Sequence, residues 1–514
     1  MDVGMNGSAR RTAAPIRDLR EWLARVEASG ELLRIPHAVS LDQEMSAITY
    51  LMAKRAESPA LLFDNPQGFE KEGIGARLLW NILGSSHRRV ALSFEESGEL
   101  PALELISRLK DKLARRVPPQ EVERSQASVY ENSLLHGDVD LGRLPIPRHW
   151  PLDGGRYAGT ADMVVTRDPE SGVVNVGTYR MMIQGRNQAG LYLSPGKDAL
   201  SHITRSWQRG QPVQVAAAWG IDPLYMIVGS MTVSAAVSEY DHLGGIKGEP
   251  VRVVRGTTTD LPLPADAELV VEGLIRPNAM KMEGPFGEFT GFYGRPEAEC
   301  PLVEVTAVHY RTRPILTNAL LSEYPSNEES LFIAYARSAR IWNDLEKLGV
   351  PGIRGVYAVP ASAMGMGMTV ISLEQRYAGH AAQALALAGQ VPGGAYYTKW
   401  IIAVDEDIDP SNMDEVIWAM STRCNPAGDI DIQRNTWSTM LDPSQNPPEN
   451  RPYGSKALIN ACKDHRHIKT FSKRMALRKE VYEQVVKRWA SLGLPGEPPP
   501  VRAFESAPAR PLVD

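Results

Sequence analysis

Ala161-Asp-Met-Val-Val-Thr-Arg-Asp-Pro-Glu-Ser-Gly-Val-Val-Asn-Val-Gly-Thr-Tyr-Arg-Met-Met-Ile-Gln184 reads as a strand, a turn and a second strand. Apolar and β-branched residues over Ala161–Arg167 and Val173–Gln184 flank Asp168–Gly172, a run of turn formers. The same texture extends from Val129 to about Thr317, with further strands predicted at Val213–Trp219, Met226–Val233, Leu269–Ile275 and Val303–Tyr310. Helical patterns nearly vanish there. Many short strands with Gly, Pro and Asp punctuation predict a barrel or sandwich.

The flanks read differently. Leu19, Trp22, Leu23 and Val26 recur at helical spacing within Ile16–Ser29, ahead of Gly30, and Met45, Ile48, Leu51 and Met52 do so within Leu41–Ala56. A third helix is expected at Ala102–Arg115, before Pro118 and Pro119, with strands at Ala60–Phe63 and Leu78–Leu83. This predicts a compact α/β unit, preceded by a polar, basic segment Met1–Ala14 that is expected to be disordered. Beyond the β-rich section, helices at Glu329–Leu348, His380–Ala388 and Asn412–Thr422 alternate with strands at Gly355–Val359, Met368–Leu373 and Thr398–Val404, which predicts an α/β layer. A charged helical pattern over Phe471–Leu492 is expected to pack on the body or a partner subunit, and the tail from Pro495 to be loose. No internal repeat is evident.

A chain of 514 residues exceeds one ordinary core, so two or three domains are expected. Fifty-six basic residues against 61 acidic ones leave no basic field for a phosphate backbone and exclude nucleic acid as an expected partner. Cys300, Cys424 and Cys462 are far apart, odd in number and without a Cys-x-x-Cys, which favours a reducing compartment. No apolar run reaches membrane-spanning length and no signal-like core opens the chain, so a cytoplasmic protein without membrane contact is expected.

The chemistry centres on Met280-Lys-Met-Glu-Gly-Pro-Phe-Gly-Glu-Phe-Thr-Gly-Phe-Tyr-Gly294. Glu283 and Glu288 stand five apart, which in a straight strand would send them to opposite faces, but Gly284, Pro285 and Gly287 between them can bend both into one cavity. Two converging acids form a usable device when an arginine holds one ionised and burial lifts the other towards neutral pH. Arg180, on a predicted strand, is the best cation for that pairing because a planar fork on a strand is well fixed. The small polar loop Gly229–Glu239 follows an apolar run and permits close approach of a ligand backbone or phosphate.

These pieces together resemble a known family. Asn175-x-Gly-x-x-Arg180, the pair Ser230-Met231 followed by Glu239, Glu283-Gly-Pro-Phe-Gly-Glu288, the strand Tyr397–Pro410 and Gly454-Ser-Lys456 occur in the order and approximate spacing found in the UbiD family of prenylated-flavin-dependent decarboxylases, over roughly residues 16 to 470. The resemblance implies an α/β (α+β) protein in which a split β-barrel binding prenylated FMN lies between an N-terminal α/β unit and a C-terminal α/β dimerisation domain. Domains are expected at 1–125, 126–325 and 326–480, with the helix end and tail at 481–514. Family roles then fall on Arg180, Glu283 and Glu288 as the catalytic set, with Glu288 the proton donor and Glu283 orienting Arg180. They fall on Asn175 and Glu239 as ligands of a divalent ion, usually manganese, with potassium as a further ion. Thr178, Tyr179 and Arg180 fall at a phosphate site, Ser230 and Met231 beside the flavin, and Lys399 near the phosphate. A flavin prenyltransferase is the implied cofactor supplier, and a homodimer or an assembly of dimers the implied state.

One departure concerns the metal. Where many members carry a histidine ligand, this chain reads Ser194-Pro-Gly-Lys197-Asp198, so Asp198 or His202 stands as the third ligand; manganese accepts the oxygen set readily. The chemistry agrees with the resemblance: CO2 loss from an sp2 carbon needs an electron sink that side chains lack, and the product carbon needs a proton. The implied activity is reversible non-oxidative decarboxylation of an aromatic, heteroaromatic or α,β-unsaturated carboxylic acid, with pocket residues expected among Met282, Phe289, Leu320–Tyr324 and Pro452–Ile459. A flavin-binding or assembly subunit, or an ordinary FMN redox protein, is the alternative. Asp405, Glu406, Asp407 and Asp409 read as strand-end acids and a helix cap before Pro410 rather than a calcium loop.

Overall fold

The strands predicted from the central texture assemble into an eight-stranded antiparallel sheet. Its path runs Val174–Gly177, Met163–Arg167, Val213–Trp219, Leu269–Glu283, Ala298–Tyr310, Gln188–Leu191, Met181–Gly185, with Asn132–Leu135 also paired to Ala298–Tyr310. Both faces are buried: Val164, Ala217 and Val271 enter one core, while their neighbours Val165, Ala216, Ala218 and Val270 enter another. That is why these strands read as continuous apolar runs. The two edges of the path, Val174–Gly177 and Met181–Gly185, are consecutive in sequence. Four Cα steps span at most about 14 Å, so the sheet must curl until its edges nearly meet. It does not close: ladder pairing stops at Gly177 with Val164 and resumes at Met181 with Leu191.

The computed structural model describes residues 15–69, 73–231, 233–445, 453–501 and 504–505, so Met1–Ala14 and Pro452 lie outside it. In the N-terminal region a sheet ordered Leu32–Val39, Ala60–Pro66, Arg77–Trp80, Ile315–Thr317 is covered by helices Leu19–Ala28 and Ala102–Lys112. Its last strand comes from the central section and pairs in parallel with Arg77–Leu79. The C-terminal region is a five-stranded sheet ordered Ile353–Ala358, Met368–Leu373, Trp400–Asp405, Tyr453–Ala461, Ile430–Trp437, with helices Ser330–Lys347, His380–Ala388 and Met413–Arg423. The architecture is the expected α/β one. Lys463–Asp514 is a separate unit containing helix Lys479–Arg488. That helix is shorter than predicted from Phe471; Arg474 and Arg478 would face each other at i,i+4, which opposes helix there.

Several expectations fail for identifiable reasons. Met226–Val233 is not a strand: Asp222 accepts from Leu224 N (2.9 Å) and Pro223 takes the first helical position, starting helix Pro223–Gly229. Helix Asp198–Gln208 escaped the pattern because its buried side carries His202 and Ser206 among Ala199 and Ile203. Helix Glu239–Lys247 contains Gly244 and Gly245, which look like breakers. A Cβ at either would lie 2.3 Å from the Val117 or Arg115 carbonyl oxygen, so the glycines serve close packing. The long strand Val173–Gln184 is broken at Thr178–Arg180, where the Tyr179 ring folds over Gly177; a Cβ on Gly177 would meet that ring at 2.6 Å. Asp409 caps a turn through Ser411, while Asn412 caps the helix; Asp405 and Asp407 pair with Arg423.

Candidate active site

The ladder between Leu269–Glu283 and Ala298–Tyr310 runs to the pair Glu283 and Ala298, so Glu283 is held at the very end of a long, rigid ribbon. Gly284, with φ 93°, turns the chain back through a region that favours glycine. The turn is pinned from the Trp150–Tyr157 segment: Gly287 N donates to Asp153 Oδ1 (3.0 Å) and Gly154 N to Pro285 O (2.9 Å). A Cβ at Gly287 would stand 2.3 Å from Trp150 Cδ1, so only glycine allows that approach. The bend brings the Glu288 carboxyl back beside Glu283.

Arg180 sits in the gap between the two sheet edges and meets both acids. Its Nε and Nη2 donate to Glu283 Oε1 (2.8 Å) and Oε2 (3.0 Å), and its Nη1 donates to Glu288 Oε1. The predicted convergence is thus present in the fold. Glu283 takes two more donors: the Tyr157 hydroxyl at Oε1 (3.0 Å) and Arg295 Nη2 at Oε2 (2.6 Å). Both guanidiniums lie over the Tyr192 ring, at 4.2 and 4.4 Å from its centroid, and Arg180 also lies 4.8 Å from that of Phe286. Glu283, Glu288 and Arg180 are buried. Burial raises the Glu288 carboxyl above its ordinary range even though Arg180 pulls the other way, and burial likewise lifts Asp153 to about 6.

One cavity opens on this cluster at Arg180 and Glu288 and two more adjoin it, with Lys197 and Tyr396 lining all three. One of about 170 Å³ presents Thr178, Tyr179, Arg180, Phe286, Glu288, Phe289, Leu321 and Glu329. A second of about 80 Å³ presents Asn175, Asp198 and Glu239 together, the oxygen set expected for a divalent ion. His202 is placed elsewhere, its Nδ1 against Thr166 Oγ1 (3.0 Å) and its Nε2 towards Asp168. Glu239 is pushed up to about 7 by burial, with the nearby Asp198 adding to the effect. The third cavity, about 70 Å³, holds Ser230, Met231 and Arg337.

These residues fit a flavin nucleotide with a bound metal. Both Asp162 carboxyl oxygens and Arg337 Nε are buried on the walls of this space with no hydrogen-bond partner among the described residues, and Ser230 Oγ lies 3.3 Å from Thr178 Oγ1. Not every expected residue gathers here. Lys399 is engaged by Asp442 Oδ1 (2.8 Å) and Ser444 Oγ (2.6 Å), and Met282 and Tyr324 are exposed. Lys456 is buried against the Ala395 and Thr398 carbonyls. Tyr157 and Asp153 also belong to the site, reaching Glu283 and Gly287 from 126 and 134 residues away, beyond the range of any local pattern; Arg295 pairs with Glu283 from 12 residues along, and Lys197 stands in the Ser194–Asp198 segment.

The N-terminal, Rift-related and C-terminal domain profiles of 3-octaprenyl-4-hydroxybenzoate carboxy-lyase, the UbiD family, match residues 23–112, 120–324 and 330–461. The chain belongs to the UbiD family. As a carboxy-lyase of this family it is 30% identical to a phenolic acid decarboxylase of Escherichia coli O157:H7, over 90% of this chain and 99% of the relative. The UbiD fold is matched by vanillic acid decarboxylase of Sedimentibacter hydroxybenzoicus in its closed form, with TM-score 0.83, 29% identity and coverage of 93% of this chain and 100% of that one. An evolved dimeric form of HmfF from Pelotomaculum thermopropionicum, in complex with prFMN, aligns with TM-score 0.77 and 28% identity, covering 90% of this chain and 97% of that one.

Proposed function

We propose that this UbiD protein removes CO2 from an aromatic, phenol-type carboxylic acid with prenylated FMN as cofactor and Glu288 as proton donor. The observation that supports it best is the buried set Arg180, Glu283 and Glu288, of which Arg180 and Glu288 stand on the wall of a cavity lined by Phe286 and Phe289. Ser230, Met231, Lys197 and Thr178 would hold the flavin, and Asn175, Asp198 and Glu239 would hold a manganese ion. The modified flavin supplies the electron sink for the bond to CO2. Arg180 binds the substrate carboxylate, and Glu283 keeps it aligned while competing for it, so the carboxylate is not held too tightly before reaction. Glu288, lifted by burial, carries a proton to the product carbon. Three free cysteines suit a reducing, cytoplasmic compartment, and the C-terminal α/β domain is the surface on which a homodimer or assembly of dimers would form.

The test is production together with a flavin prenyltransferase, cofactor mass determination and CO2 release against a panel of aromatic acids. Glu288→Gln should keep its flavin and lose decarboxylation; normal turnover in that variant would remove the acid role. In the parent enzyme the acid must be protonated, so activity should persist below the raised Glu288 pKa and fall as pH climbs through it. Prenylated cofactor bound without CO2 release from any acid would favour an assembly subunit.

A further inference from the structure

Arg295 has no part in the sequence motifs, yet it is the second cation of the cluster. It follows the glutamate turn, is largely buried, and donates from Nη2 to the same Glu283 oxygen that Arg180 Nη2 reaches. Its Nε has no partner among the described residues, and its guanidinium shares the Tyr192 ring with Arg180. The charges of the directly paired side chains cancel when both glutamates are ionised, because two arginines face two carboxylates. Once Glu288 is protonated the set carries one positive charge in excess. An incoming carboxylate restores neutrality.

We propose that Arg295 is a positioning residue: by holding Glu283 it leaves Arg180 free to exchange Glu288 for the substrate carboxylate, and it makes carboxylate entry and proton uptake by Glu288 from water one linked event. The proposal rests on the reading of Glu288 as the acid. Without Arg295, the cluster with Glu288 protonated is already neutral, and an incoming carboxylate leaves it with one uncompensated negative charge, which in a buried site is strongly unfavourable. Other ionisable groups face Glu288 or its neighbours. Glu329, lifted by burial to about 8, and Tyr396, also raised, approach from the C-terminal side and stay neutral at pH 7. Tyr157 is raised too. Asp153 is occupied by the Trp150 and Gly287 backbone amides. Lys197, the other cation on the cavity wall, is solvent-exposed and its charge acts on Asp198, Glu329 and Glu239 rather than on Glu283. None of these groups takes the place of Arg295 against Glu283.

The decisive measurement needs no turnover. In the flavin-loaded protein, the protonated-carboxyl infrared band that Glu288→Gln removes is titrated in the parent and in Arg295→Gln and Arg295→Met, the latter neutral and of similar length. The midpoint should rise by about one pH unit or more in both neutral variants and stay near the parent value in Arg295→Lys. With a turned-over aromatic acid, KM should rise about tenfold with kcat less affected, again rescued by lysine. An unmoved midpoint in whichever neutral variant folds and retains flavin overturns the proposal, as does the absence of any band assignable to Glu288. Failure of the decarboxylase reading would show separately, as missing CO2 release by the parent enzyme.

Discussion

Glu329 gives the sharpest test of how the cavity treats charge. Its carboxyl lines the 170 Å³ cavity beside Glu288 and Lys197, and burial, reinforced by Glu288 and Glu328, lifts it to about 8. An ordinary glutamic acid titrates near 4.5, so the folded state binds this proton about 3.5 units more tightly. At ~1.4 kcal/mol per unit that is about 5 kcal/mol of stability lost as pH rises from the unfolded value through the folded one. Two effects reduce it. Water can enter the cavity, and Glu329 sits at the N-terminus of helix Ser330–Lys347, where the helix dipole favours the anion. About 2–4 kcal/mol should survive. The sign follows from the raised acid: the stability is fully present at pH 4 and below and absent above pH 9. Glu329→Gln removes the titration without changing shape. In calorimetry of the cofactor-free protein, parent and variant should melt together near pH 4, whereas at pH 9 the variant should melt higher, by roughly 2–4 °C for a chain this long. Equal melting at both pH values, or a variant weaker at pH 9, would show an ionised, partnered carboxylate and refute the burial argument.

Tyr157→Phe deletes one donor to Glu283 and leaves the other three; a cost of about 1 kcal/mol in unfolding is expected, with a modest fall in kcat and the flavin retained. Mutating the oxygen set should separate the two candidate third ligands: Asp198→Ala should lower retention of manganese and flavin, measured by metal content and absorbance after desalting. His202→Ala, which loses a contact to Thr166 rather than a place on the cavity of Asn175, Asp198 and Glu239, should retain both.

How much of this was legible in the chain depended on range. The turn around Gly284–Gly287 and the strand–turn–strand over Ala161–Gln184 announced themselves because glycine, proline and β-branched residues act locally. The resemblance carried by Asn175–Arg180 and Glu283–Glu288 then named the acids and their arginine. Arg295 and Tyr157 could not be found that way: each matters only because a hairpin and a loop bring it to Glu283, 12 and 126 residues away. The helices missed in the central section were hidden by tertiary demands. Gly244 and Gly245 weaken helix propensity, yet they let the Arg115–Val117 backbone pack against them, and the packing outweighs the propensity.

The position of the cluster follows from the unclosed sheet. A closed barrel would pair every backbone group of Thr178, Tyr179 and Arg180 with a neighbouring strand and commit their side chains to alternating faces. Here the chain must cross from one edge to the other within those three residues, so the alternation lapses and Arg180 can turn towards the glutamate ribbon. Tyr157, Met182 and Phe286 form a small apolar cluster around the crossing. That cluster keeps water from the ion pairs, which lowers the local dielectric and strengthens each charge's hold on the next. An arginine on a regular strand of the same sheet would be fixed equally well, but it would face a packed core or solvent. At the split a buried cation faces both the two glutamates and an open cavity, and a decarboxylase needs both: a charge strong enough to orient a carboxylate, and space for the acid to arrive.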